Sequence, residues 1–194
     1  MARTEHATTS ENVVSSPTGT DRPGLIVVDM QRLFVDIAGD QGPRVLDAVN
    51  RHIDETTDSG GAVFYTRDIQ PTQKPAGDPS YQLHPDLTIA GPVIDKGPGK
   101  DGGFSGFVLT EPGGEAGDGG LSSLAGHLRS QGITHVSIVG IAADVCVSAT
   151  AIDAVRLGFP AEVPLPASAF VHAHSGGDEA AIAHLTDAGV VAIG

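Results

Sequence analysis

Three residues of this chain stand out by type and position. Asp29 closes the apolar run 24–29 (GLIVVD), Lys96 follows the short run 92–94, and Cys146 lies just beyond the run 135–139. A carboxylate, an ammonium and a thiol brought together make an activated nucleophile. The carboxylate takes the thiol proton, and the ammonium keeps that carboxylate oriented and charged. Cys146 is the single cysteine, so an intramolecular disulfide is excluded and the thiol is free for packing or chemistry. It falls in the first turn of an expected helix, where unpaired N–H groups and the helix dipole favour a thiolate. The turn Ile141, Ala142, Ala143 can aim backbone N–H groups at a developing oxyanion. Each residue also has a plainer reading. A lone cysteine often packs as a small hydrophobe, an acid after an apolar run caps the next element, and a lysine in a glycine-rich loop is solvated. What favours chemistry is that all three fall at strand carboxyl ends.

The elements that must position them follow from the spacing of apolar residues. Apolar runs at 24–29, 62–66, 92–94, 135–139, 159–165 and 190–193 read as strands, with 24–29 buried on both faces and 135–139 also buried. Between them, 43–59 carries Val45, Leu46, Val49 and Ile53 at helical spacing and is stopped by Gly60 and Gly61. Further helices are expected at 121–130, 143–157 and 178–188. Alternation of strand and helix implies an α/β fold, three layers deep, with a roughly six-stranded parallel sheet between helices. In such sheets the chemistry sits outside the carboxyl ends of the strands, which directs attention to Asp29, to 66–68, to Lys96 and to 140–146.

Composition narrows the partners. The 194 residues include 24 acidic and 11 basic side chains, a formal charge of −13, which disfavours nucleic acid and anionic membranes. A small neutral substrate is indifferent to that charge. Residues 1–22 are polar without an apolar period and read as a mobile tail, leaving 23–194 as one domain. No secretory leader or membrane-length apolar run is present, so the expectation is a cytoplasmic protein. Glycine and proline cluster at 91–120, where 111–120 (EPGGEAGDGG) reads as an exposed loop. Within that region 97–102 satisfies the dinucleotide pattern G-x-G-x-x-G, but no helix follows to receive a pyrophosphate.

Three segments then resemble the signatures of the isochorismatase-like cysteine hydrolases, nearest the nicotinamidase/pyrazinamidase branch. They are 25–34 (LIVVDMQRLF), 96–107 (KGPGKDGGFSGF) and 139–154 (VGIAADVCVSATAIDA), in the family's order. The resemblance implies a catalytic set of Asp29, Lys96 and Cys146, a cis peptide between Ile141 and Ala142, and an oxyanion hole of the Ala142 and Cys146 amides. It implies that Phe34 holds the substrate ring and that Asp144 shapes the turn, although Asp144 equally suits a helix N-cap. The implied reaction is attack of Cys146 on a carboxamide, release of ammonia, and hydrolysis of the thioester. Nicotinamide is the best single substrate, and self-association to a homo-oligomer is a further implication.

The match departs at one place. Nicotinamidases hold a divalent metal on Asp-x-His after the second strand, with two further histidines. Here Asp68 fits the acid, but Gln70 stands at the histidine position and the following stretch is shortened, leaving His84 as the only histidine near. A carboxylate with an amide is a poor zinc or iron site, so the expectation is an enzyme without a metal cofactor. His172 and His174 could face one way in an extended segment, but two solvated loop histidines are the plainer reading. Two other functions stay open: vinyl-ether hydrolysis of the isochorismatase type, which Cys146 argues against, and a non-catalytic binding or assembly role.

Overall fold

The computed structural model describes residues 21–69, 71–75, 77–97, 103–109, 120–121 and 123–194. Nearly all of the expected tail, Gln70, the 97–102 motif beyond Gly97, and the loop 111–119 lie outside the described residues. Asp21 and Arg22, at the end of that expected tail, hydrogen-bond to Thr134.

The run PGLIVV forms β1 (Pro23–Val28), in which Leu25, Ile26, Val27 and Val28 have no exposed surface. After it come α1 (Arg32–Ile37), α2 (Gln41–Asp58), β2 (Ala62–Asp68), β3 (Val93–Lys96) and the short antiparallel pair β4 (Val108–Leu109) and β5 (Gly120–Leu121). The second half comprises α3 (Leu124–Ser130), β6 (His135–Ile141), α4 (Cys146–Arg156), β7 (Ala161–Pro164), β8 (Ser168–Ala169), α5 (Gly177–Asp187) and β9 (Val191–Ile193). The main sheet is parallel and runs β3, β2, β1, β6, β7, β9, with β8 added beside β6.

The sheet therefore has seven strands where the sequence suggests six. The expected strand 159–165 is interrupted, because Pro166 has no N–H for a ladder. A 3₁₀ turn at Leu165–Ala167 ends β7 and steps the chain sideways. As a result β6 pairs with β7 at Val136 and Ser137 but with β8 at Gly140 and Ile141. The short α1 also escapes a periodicity reading, since its six residues hold fewer than two turns.

Alternation along β1 divides the core between the two faces. Ile26 and Val28 join the cluster that includes Leu124, Leu128, Val147 and Leu185, while Leu25 and Val27 join Val45, Leu46, Val49 and Ile53 of α2. Helix α2 begins at Gln41, two residues before its expected start, because Pro43 sits within the first turn where its missing N–H costs nothing. β2 and β3 each run two residues further than the apolar pattern suggests, so Asp68 and Lys96 end strands as directly paired neighbours.

Gly140, within β6, is a glycine the sheet requires. It has φ 120°, and a Cβ there would lie 2.1 Å from the Val28 carbonyl oxygen on β1. Gly140→Ala combines backbone strain with overlap against a buried strand, and is expected to destabilise the fold by about 3 kcal/mol or more in urea denaturation.

Candidate active site

The chain leaves β1 through Asp29, which adopts a left-handed φ of 49°. Its amide donates to the Thr66 carbonyl at 3.2 Å, and the Thr66 hydroxyl donates to Asp29 Oδ1 at 2.8 Å. The other carboxylate oxygen, Oδ2, lies 2.8 Å from Lys96 Nζ. Lys96 reaches across from the end of β3, and its ammonium also donates to the Phe104 carbonyl at 2.8 Å. Both charged side chains are fully buried. Burial alone would drive the lysine toward neutrality. The carboxylate of Asp29, helped by Cys146 and Asp68, outweighs it and holds Lys96 above the ordinary lysine range.

Cys146 is the first residue of α4, is buried, and lies where the charges of both Asp29 and Lys96 act on its thiol. The three residues singled out in the sequence thus meet at one point. Burial, followed by the negative charge of Asp29, pushes the thiol up to about 12, against the opposing pull of Lys96.

Several further groups complete the site. The side-chain amide of Gln31, fully buried, pairs with the backbone of Asp68 in both directions: Nε2 donates to the carbonyl and Oε1 accepts the N–H, each at 2.9 Å. Nε2 also donates to the Tyr81 carbonyl at 2.6 Å. Thr150 accepts the Gly106 N–H at 2.9 Å and donates to the Cys146 carbonyl at 2.7 Å. That relay ties the segment carrying Phe104 to the first turn of α4. Gln31 and Thr66 were findable as polar residues at strand ends. The Phe104 carbonyl was not, because a backbone acceptor carries no side-chain identity.

The peptide between Ile141 and Ala142 is cis. Among the described residues, the amides of Ala142 and Cys146 donate to no other backbone group, whereas Ala143 N–H is occupied by the Ala169 carbonyl at 2.7 Å. Asp144 is not the N-cap of α4. Val145 takes that position without a side-chain cap, and the Asp144 carboxylate turns instead to the amides of Val171 and Ala173.

Above Cys146 opens a cavity of about 160 Å³. Phe34, Ile37, Phe104, Val145 and Val171 form apolar walls, with Ile141, Ala142, Cys146 and Asp68 also lining it. An apolar cavity of ~150 Å³ is enough to hold one benzene ring.

Among the described residues, the donor set around the cavity does not fit a nitrogen-ligated divalent metal. Of eight histidines, only His6 lies outside the described residues, and none of the other seven lines the cavity. His84 accepts the Asp86 N–H, and His172 pairs with Asp178 at 2.9 Å. His174 accepts the Gly176 N–H and stands 6.4 Å from the His184 ring. Among the described residues no group of three or more histidine, cysteine or acidic side chains could hold a metal, and Asp68 is alone of that kind beside Cys146 in the cavity.

The chain matches the isochorismatase domain over residues 23–194. It belongs to the isochorismatase family. It is 31% identical over 171 residues to the nicotinamidase/pyrazinamidase of Mycobacterium tuberculosis, covering 77% of this chain and 87% of that protein. Among solved structures, PnC1 from L. infantum in complex with nicotinate aligns with a TM-score of 0.72 and 28% identity, over 90% of this chain and 93% of that one. The pyrazinamidase of Pyrococcus horikoshii in complex with zinc aligns with a TM-score of 0.69 and 27% identity, over 89% and 98%. Among the described residues of this isochorismatase-family chain, no helix is long and apolar enough to cross a membrane.

The electrostatics of Cys146 give a direct test. Its alkylation by iodoacetamide is expected to keep rising with pH past 9, where an ordinary exposed thiol has levelled off. Asp29→Asn removes the charge that opposes the thiolate while Lys96 remains, so at pH 8 that variant is expected to alkylate faster than wild type. Equal alkylation would show that Asp29 does not govern the thiol, and slower alkylation that it acts on the thiol chiefly as a base.

Proposed function

We propose that this chain, an amide-bond hydrolase of the isochorismatase family, converts nicotinamide or a close single-ring carboxamide to the acid and ammonia through a thioester on Cys146. The observation that carries this reading is the meeting of Cys146, Asp29 and Lys96 at the base of an apolar cavity the size of one ring. Similarity to relatives named nicotinamidase and pyrazinamidase supports the substrate class.

The reaction uses each group once in each half. Phe34, on the cavity wall, packs against the ring and directs the carboxamide toward Cys146. As Sγ attacks the carbonyl carbon, the thiol proton passes to Asp29, and the oxyanion is received by the Ala142 and Cys146 amides. The C–N bond then breaks, and the leaving nitrogen takes the proton from Asp29 to depart as ammonia. In the second half water attacks the thioester carbon and gives a proton to Asp29. The C–S bond breaks, the acid leaves, and Asp29 returns the proton to sulfur. Lys96 stays protonated throughout and keeps Asp29 a carboxylate between transfers. The lone free cysteine suits a reducing compartment such as the cytosol.

Cys146→Ala is expected to abolish ammonia release from nicotinamide while leaving the circular dichroism spectrum and Tm near wild type. Asp29→Asn is expected to lower kcat by about 10²–10⁴, the usual contribution of a general base. Full activity in the alanine variant would sink the thioester route.

No step passes through a metal, in keeping with the donor set. Incubation with EDTA is therefore expected to leave ammonia release unchanged. Loss of activity restored by added zinc would place ligands on residues outside those described.

A further inference from the structure

The Asp144 carboxylate, two residues before the nucleophile, reaches the far wall of the cavity. Oδ1 accepts the Val171 N–H at 3.1 Å, and Oδ2 accepts the Ala173 N–H at 2.6 Å. Between those two amides His172 is held at φ 56°, a left-handed conformation unfavourable for a residue with a Cβ. The His172 imidazole gives the turn no inward anchor, because it faces outward and pairs with Asp178. Upstream, β8 is hydrogen-bonded to the end of β6, and the Ala169 carbonyl accepts the Ala143 N–H at 2.7 Å. The segment 168–173 is thus fastened to the nucleophile turn on both sides of Val171. Val171 itself lines the cavity.

We infer that Asp144 is a positioning residue that sets the width of the cavity by clasping the backbone on either side of Val171, and so determines which ring substituents the site admits. The carboxylate matches two convergent N–H donors, one per oxygen, which is the arrangement a charged acceptor satisfies best. Loss of one oxygen as acceptor frees one side of a strained turn, and the Val171 wall relaxes outward. That a ring occupies this space rests on the carboxamide reading above. The geometry of the wall does not.

The test reads the wall through Cys146, the chain's single cysteine, using two thiol reagents of different size. Rates of alkylation by iodoacetamide and by N-phenylmaleimide are measured at one pH for the full chain. The variants are Asp144→Asn, which keeps one acceptor and the side-chain size, Val171→Ala, and the pair combined. The ratio of the N-phenylmaleimide rate to the iodoacetamide rate cancels changes in thiol reactivity. It is expected to rise about threefold or more in each single variant. In the double variant it should rise no further than in the larger single, because both act on one wall. With nicotinamide as substrate, Asp144→Asn should raise KM several-fold with kcat nearly kept. An unchanged ratio in folded Asp144→Asn overturns the inference, as does an unchanged ratio in Val171→Ala or independent, multiplying effects in the double variant. If Asp144→Asn does not fold, Asp144→Glu, which keeps both acceptors one methylene further out, is read by the same ratio and the same outcomes. The alkylation ratio needs no turnover. Failure of every carboxamide to release ammonia would therefore sink the proposed reaction while leaving this inference to stand or fall on the ratio.

Discussion

A carboxylate and an ammonium lie 2.8 Å apart, both fully buried, at the ends of two strands that are not neighbours. Taking two charges out of water is costly, and removing one partner of such a pair leaves an uncompensated charge at about 3–5 kcal/mol. The surrounding groups are those needed to make the pair tolerable: the Thr66 hydroxyl on Asp29, the Phe104 carbonyl on Lys96, and a third contact from each to Cys146. The pair also governs the thiol. Burial and the Asp29 charge both weigh against a further anion on Cys146, and Lys96 opposes them, in a medium that screens charge poorly.

Most of this arrangement was legible before any coordinates. Apolar runs ending in Asp29 and before Lys96 gave away the strands, and the parallel-sheet rule put their ends on one side. What escaped was of two physical kinds. Some positions depend on proline stereochemistry rather than periodicity, as with the strand that stops before Pro166 and resumes as β8. Others depend on backbone groups, such as the Phe104 carbonyl and the amides of Val171 and Ala173, whose partners no side-chain pattern encodes. The burial of Cys146 escaped for a related reason. Placement at a helix N-terminus is visible in sequence, but the burial that opposes it is a property of the assembled core.

The family places this chain beside proteins solved with zinc and with nicotinate, and the fold is shared nearly end to end. Among the described residues the cavity walls are aromatic and aliphatic, no histidine lines it, and Asp68 is the one acid facing in. In a cavity of that kind the position of each wall decides what fits, which gives weight to the segment around Val171.

Gln31 has a consequence of its own for why an opening exists at all. A parallel strand flanked by two others normally continues until both neighbours stop, since leaving early strands polar groups on each. Here β1 departs at Asp29, while β2 continues to Asp68. The side-chain amide of Gln31 supplies the donor and acceptor that the missing β1 backbone would have given. One residue thus impersonates a peptide bond. The sheet keeps its hydrogen bonding across the vacancy, and the chain is released to build, with Phe34 and Ile37, the roof over the notch it leaves.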